Sequence, residues 1–213
     1  MGIIQDSDRT EIARQLEGLT NRVKMINFTQ ELECQYCKET SQLVKELSNI
    51  SNKVDSEVYN FITDKAPTDK YKIEHIPAIV FMGDDDRGIR FYGIPSGYEF
   101  ATLLETIRMI SEGDSGLSQG TRDFLKDLKK PVNLKVFVTP TCPYCPRAVS
   151  LAFQMAYESP MVTADAFEAI EFPHLSQKFK VQGVPRTVIN DTVPIEGAAP
   201  EKMVLDAIKK AIA

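Results

Sequence analysis

The four cysteines of the 213-residue chain occur as two pairs of one spacing, Cys34-Gln35-Tyr36-Cys37 and Cys142-Pro143-Tyr144-Cys145. Residues i and i+3 on a helix are neighbours with Cβ atoms roughly 5 to 6 Å apart. Two thiols at that spacing stand near bonding distance, and little rearrangement separates dithiol from disulfide. If each pair opens a helix, its first cysteine sits at about the N-cap. Unpaired N–H groups and the positive end of the helix dipole favour a thiolate there. Cys34 and Cys142 are therefore the expected nucleophiles. Thiolate attack on a substrate disulfide gives a mixed disulfide, which Cys37 or Cys145 resolves, releasing reduced substrate. Run backwards, the same steps oxidise a dithiol. One shared zinc site is the competing use of four cysteines, but ribbons commonly separate their pairs by about 15 to 20 residues. Here 104 residues lie between Cys37 and Cys142. Inert bridges more often tie distant segments of smaller secreted chains.

The surroundings of the two pairs differ. Glu31, Glu33 and Glu39 put negative charge near the first and disfavour a thiolate at Cys34. Arg147 follows the second pair and Arg186 follows Pro185, and both favour a thiolate at Cys142. Pro143 is expected at the first helical position, where no hydrogen bond is lost. Pro146 has no functional reading from the sequence.

The elements that must position these residues come from a repeat. Cys34 and Cys142 are 108 residues apart, and Ile76-Pro77 and Val184-Pro185 lie at the same offset. Pairing Thr29 with Thr139 leaves four residues before Cys34 and two before Cys142. Each half reads in the same order: a leading helix (Ile12, Leu16, Leu19; Phe124, Leu125, Leu128), an apolar strand, and a helix opened by the cysteine pair. A second strand follows near Val54 to Phe61 and Met161 to Phe167. After each X-Pro come a β-branched or aromatic run, a hairpin partner and a closing amphipathic helix. The Gly- and Ser-rich stretch 111–120 marks a boundary near residue 116. This divides the chain into 1–115 and 116–213. The first part, to Gly113, carries 13 basic and 19 acidic residues and the rest 12 and 11, so the halves differ electrostatically.

A Cys-x-x-Cys after a strand and at a helix start, with an X-Pro about 40 residues on that begins another strand, resembles the thioredoxin and glutaredoxin fold. Cys-Pro-Tyr-Cys resembles the glutaredoxin form of the motif. Two such units, CQYC first and CPYC second, resemble the protein disulfide oxidoreductases, glutaredoxin-like proteins found chiefly in thermophilic archaea and bacteria. The resemblance covers nearly the whole chain. It implies an α/β fold of two tandem thioredoxin-like domains, each a mixed central sheet flanked by helices. It implies that the X-Pro loops face the cysteines, with the backbone of Ile76 and Val184 beside Pro77 and Pro185 pairing with an extended substrate segment. Tyr36 and Tyr144 are placed either to pack over their loops or to touch substrate. Protein disulfides and dithiols are the implied substrates, and an NADPH-dependent flavoprotein of the thioredoxin reductase type the implied electron donor. An electron relay dedicated to one peroxidase or flavoprotein, or a zinc-binding or redox-sensing module without turnover, are the alternatives.

Composition narrows the field further. With 43% hydrophobic and 26% charged residues, 11 Gly and 12 Pro, the chain is that of a folded protein with a core. A net charge of −5 leaves no basic excess for phosphates, so no nucleic-acid partner is expected. No run of 18 apolar residues exists, so no membrane span is expected, and the N-terminus lacks the pattern of a secretory signal. A cytoplasmic location follows as an expectation. No cofactor beyond the cysteine pairs is expected, since no glycine-rich phosphate loop is visible, and no metal either, since the Asp84-Asp85-Asp86 run lacks spaced ligands.

Overall fold

The order of elements is the same twice over. In the computed structural model, which describes residues 2–213, the first pass is α1 (Asp6–Gln15), β1 (Val23–Thr29), α2 (Cys37–Ser48), β2 (Val54–Asn60), α3 (Lys65–Lys70), β3 (Ala78–Met82), β4 (Asp86–Tyr92) and α4 (Glu99–Glu112). The second pass is α5 (Gln119–Lys126), β5 (Val132–Val138), α6 (Cys145–Glu158), β6 (Val162–Glu168), α7 (Pro173–Lys178), β7 (Arg186–Ile189), β8 (Val193–Glu196) and α8 (Glu201–Ile212). Between the passes, α4 ends at Gly113, whose left-handed φ of 77° suits a residue without Cβ. Ser118 then caps α5, its side chain accepting from the Thr121 N–H. Both short helices, α3 and α7, went unread in the sequence, because six residues are too few to show a helical period.

Each half builds a four-stranded mixed sheet. In the first, β1 pairs parallel with β2 and antiparallel with β3, and β3 pairs antiparallel with β4. In the second, β5 does the same with β6 and β7, and β7 with β8. The central strands β1 and β5 are almost wholly buried, as strands covered on both faces must be. The halves then join edge to edge. β4 pairs parallel with β6, from Ile89 opposite Ala164 to Tyr92 opposite Phe167, giving one eight-stranded sheet, β2-β1-β3-β4-β6-β5-β7-β8. Two edges that would otherwise expose unpaired N–H and C=O groups satisfy each other. One face carries a core running through both halves, including Leu43 and Leu47 of α2, Leu103 and Ile107 of α4, and Val149 and Phe153 of α6. The other face holds an aromatic cluster with Phe28, Tyr92, Phe137 and Phe167, and Phe172 and Phe179 around α7.

Strand register corrects the repeat alignment. Phe28 stands opposite Ala78 and Phe137 opposite Arg186, and Ala78 and Arg186 each follow the proline of their half. Phe28 therefore corresponds to Phe137, and Thr29 to Val138 rather than Thr139. Four residues separate strand from cysteine in the first half and three in the second. The Thr-to-Thr match was a local coincidence of residue type.

Candidate redox sites

Parallel strands that end together put loops together. The helices bearing the cysteines follow the ends of β1 and β5, and the antiparallel strands β3 and β7 begin at that same end. Cys37 and Cys145 are the first residues of α2 and α6 and are buried, at 1% and 0% exposure. Cys34 is half-buried and Cys142 is 8% exposed, so in each pair the leading sulfur is the more accessible. Both pairs are disulfides with Cα atoms 5.5 Å apart. The leading cysteines lie two residues before the N-caps Tyr36 and Tyr144, not at them, because the x-x residues form a turn that precedes the helix. In that turn the Cys145 N–H faces the Cys142 carbonyl at 3.4 Å. Pro143 thus occupies the second position of the turn, where its fixed φ fits, rather than the first position of the helix. Pro146 is the residue near the helix start, at its second position. The N–H it lacks would have had no intrahelical acceptor, which accounts for its presence.

The prolines 77 and 185 follow cis peptide bonds, Ile76-Pro77 and Val184-Pro185. Each proline carbonyl is tied to the hairpin: the Gly93 N–H donates to Pro77 at 2.9 Å and the Gly197 N–H to Pro185 at 2.8 Å. At Gly93 (φ 99°) an added Cβ would come within 2.7 Å of Glu168 Cβ, so the position needs glycine. In the second half the loop reaches the sulfur, with Cys142 Sγ 3.7 Å from the Val184 carbonyl oxygen. Among the described residues, no hydrogen bond within the chain engages the N–H of Ile76 or Val184.

Other predicted residues are spread around these pairs. Tyr36 is half-buried, its hydroxyl accepting from Gln35 Nε2, whereas Tyr144 is 63% exposed. Arg147 is exposed on the first turn of α6. Arg186 is ion-paired with Glu196 across the β7–β8 hairpin, so its charge is largely balanced there. Glu31 and Glu33 are exposed on the loop before Cys34. His75 is half-buried among Tyr92, Phe167, Phe172 and His174, at ring distances of 5.7 to 5.9 Å, and burial pushes its pKa down.

Two polar residues escaped the sequence reading. Asn27, buried in β1, donates to the Ala78 carbonyl at 3.0 Å and accepts from the Ser41 hydroxyl at 2.6 Å. Ser41 also lies 2.8 Å from the Cys37 carbonyl. Asn27 thereby ties the proline strand to the start of α2. The signal was available: an amide inside the apolar run Val23-Lys24-Met25-Ile26-Asn27-Phe28. Glu99 opens α4, which packs along α6, with Glu105 accepting from Ser150 at 3.0 Å. Tyr98 donates its N–H to the Pro140 carbonyl, so the N-terminus of α4 lies at the second cysteine loop. Gly97, with φ 59°, lets this approach happen, since a Cβ there would strike Pro140 O. Glu99 is 1% exposed, neither carboxylate oxygen has a hydrogen-bond partner, and burial raises its pKa to about 7. Among the described residues, no three His, Cys, Asp or Glu side chains gather as a metal site, and no helix is long and apolar enough to cross a membrane.

What this fold and these two cysteine pairs define is a dithiol–disulfide oxidoreductase of the thioredoxin fold. The thioredoxin domain family matches residues 132–210. A thioredoxin of Methanocaldococcus jannaschii is 32% identical over 80 residues, 37% of this chain and 94% of that one. A protein disulfide oxidoreductase from Aeropyrum pernix superposes with a TM-score of 0.92 at 33% identity, over 97% of this chain and 93% of that one. The chain belongs to this family of protein disulfide oxidoreductases. It is also similar to the NTD_N/C domain of alkylhydroperoxide reductase AhpF from Enterococcus faecalis, at a TM-score of 0.88 and 25% identity over 96% of this chain and 99% of that one. An NADH dehydrogenase of Bacillus subtilis and the AhpF component of the alkyl hydroperoxide reductase of Staphylococcus aureus match over 154 residues, at 23% and 25% identity, and the chain spans 28% of the length of each.

Proposed function

We propose that the two repeats, residues 1–115 and 116–213, each reduce or rearrange protein disulfides, with Cys34 and Cys142 attacking and Cys37 and Cys145 resolving. One observation carries the assignment: in both pairs the cysteine that opens the helix is sealed from solvent while its partner is the more exposed. A bulky protein disulfide reaches the exposed sulfur. The thiolate forms a bond to one substrate sulfur and the substrate S–S bond breaks, its other sulfur leaving as a thiolate that takes up a proton. The buried cysteine then attacks within the protein, releasing the second substrate thiol and leaving the pair oxidised. Two electrons pass to the substrate in each cycle.

The unengaged N–H groups of Ile76 and Val184 would pair with an extended substrate segment in strand fashion, reading main chain rather than sequence. Return to the dithiol state needs a reductant, and a flavoprotein drawing on a nicotinamide cofactor is the donor we infer. The matches to an NADH dehydrogenase and to the AhpF component of an alkyl hydroperoxide reductase support it. A relay dedicated to one such partner is the second reading, favoured by the likeness to the AhpF domain.

Trapping tests the assignment. The 213-residue chain carrying Cys37→Ser or Cys145→Ser should accumulate mixed disulfides with a scrambled, disulfide-bonded protein substrate, seen by mass under non-reducing conditions. Cys34→Ser in place of Cys37→Ser, and Cys142→Ser in place of Cys145→Ser, should not. Equal trapping by leading and buried cysteines would contradict the assigned roles.

A further inference from the structure

Two near copies in one chain act as controls for each other, and the loop before the first cysteine is where they part. In the first half it is Gln30-Glu31-Leu32-Glu33; in the second it is the shorter Thr139-Pro140-Thr141. The longer loop forms one wall of an open groove of about 720 Å³ whose lining runs to Glu33, the residue before Cys34, and whose other wall carries Asn60 and Ile62. Leu32 is 79% exposed and Ile62 54%. Single exposed apolar side chains are ordinary, but two in one groove that reaches the residue before Cys34 form a patch that folding itself does not need.

Both walls are held in shape without a partner. Asn60 Oδ1 accepts from the N–H groups of Ile62 and Thr63 at 2.9 and 3.0 Å, and Asp64 accepts from the Asn60 N–H at 2.7 Å. Gln30 Nε2 donates to the Leu32 carbonyl, and Glu33 takes a left-handed φ of 56° that turns the loop toward Cys34. A preformed groove costs less ordering on binding. Its charge is of one sign: Glu31 and Glu33 line it, and among the described residues no Lys or Arg does. The second site keeps an exposed isoleucine, Ile170, at the position of Ile62, but its loop has no counterpart of Leu32, Glu31 or Glu33; Tyr144 and Tyr98 are exposed beside it and Arg147 lies on its helix.

We propose that this groove docks an extended segment of a partner protein in which lysine or arginine side chains flank aliphatic ones, and that it thereby selects which disulfides reach Cys34. The proposal rests on Cys34 being the attacking thiol of the first site. Opposite charge across the contact steers encounter and adds specificity, while Leu32 and Ile62 receive the apolar side chains.

Two disulfide-bridged peptides of equal length, one flanked by Lys and Leu and one by Glu and Leu, test it in the Cys142→Ser/Cys145→Ser protein, where the first site alone reacts. The cationic peptide should react about tenfold faster at low ionic strength, the ratio shrinking in high salt. Glu31→Gln/Glu33→Gln should bring the ratio close to one. The ratio is the readout because removing these charges also changes the Cys34 thiolate fraction, equally for both peptides. The Cys34→Ser/Cys37→Ser protein, with the second site alone, should show no preference for the cationic peptide. Equal rates at the first site, or a preference that survives Glu31→Gln/Glu33→Gln, overturns the proposal. Failure of the exchange chemistry reads differently: neither peptide reacts at either site. Docking is then read by fluorescence anisotropy of a cysteine-free copy of the cationic peptide on the oxidised protein. Binding weakened by Glu31→Gln/Glu33→Gln supports the groove, and no binding overturns it.

Discussion

The reactive form of cysteine is the thiolate, and what surrounds each leading sulfur sets how much of it exists at neutral pH. At Cys34 the neighbours are Glu31, Glu33 and Glu39. At Cys142 they are Arg147 and the backbone turn at the head of α6, while Arg186 is occupied by Glu196. With either pair replaced by serine, pH-dependent alkylation of the remaining reduced pair should give Cys142 a lower pKa than Cys34. A lower value at Cys34 would contradict the electrostatic reading. Arg186→Gln should move the Cys142 value little, since its charge is already balanced.

At the scale of elements, the head of α4 governs pH dependence. Glu99 is buried in the first turn of α4, with no hydrogen-bond partner for its carboxylate. Its pKa rises from 4.5 to about 7 because burial disfavours the charged form. The folded state then holds the proton more tightly than the unfolded state. Its contribution to stability is most favourable at low pH and is lost as pH climbs from about 4.5 through about 7, a loss on the order of 3 kcal/mol if the full shift is realised. Glu171 is raised to about 7 by burial as well and acts in the same direction. Urea denaturation at pH 5.5 and pH 8.5 should show wild type weaker at the higher pH and Glu99→Gln with a clearly smaller drop. An unchanged drop in Glu99→Gln would mean that the carboxyl ionises without cost where it lies. The elements themselves were largely legible: apolar spacing announced α2, α4, α6 and α8, and the strand runs announced β1, β3, β5 and β7. Glu99 was not, because a glutamate at a helix start reads as ordinary dipole complementarity. Its burial follows from Gly97 pressing α4 onto the Pro140 loop, a tertiary fact with no local signature. Pro146 was likewise opaque until the helix start was fixed at Cys145.

Across the whole molecule, the repeat and its landmarks were readable from the chain, since cysteine pairs and X-Pro steps recur at one offset. The seam was not. β4 and β6 carry no pattern that distinguishes a strand edge facing solvent from one facing the other repeat, and the parallel pairing of Ile89 to Tyr92 with Ala164 to Phe167 appears only in the folded chain. Across that seam His75 touches His174 and Tyr92 stacks on Phe167 at 4.6 Å, so the first half's proline loop and the second half's helix α7 share one aromatic cluster. Two sites on one sheet, one rimmed by acids and one by aromatics and Arg147, suit a protein that handles more than one kind of disulfide. Reduction of insulin in the presence of dithiothreitol, comparing the wild type with Cys34→Ser/Cys37→Ser and Cys142→Ser/Cys145→Ser, bears on this most directly. Catalysed precipitation of the insulin B chain by wild type, with most of the rate kept when only the second pair remains and all of it lost when both pairs are replaced, is the expected result. A wild-type rate no greater than dithiothreitol alone would contradict exchange with protein disulfides and leave the dedicated relay in its place.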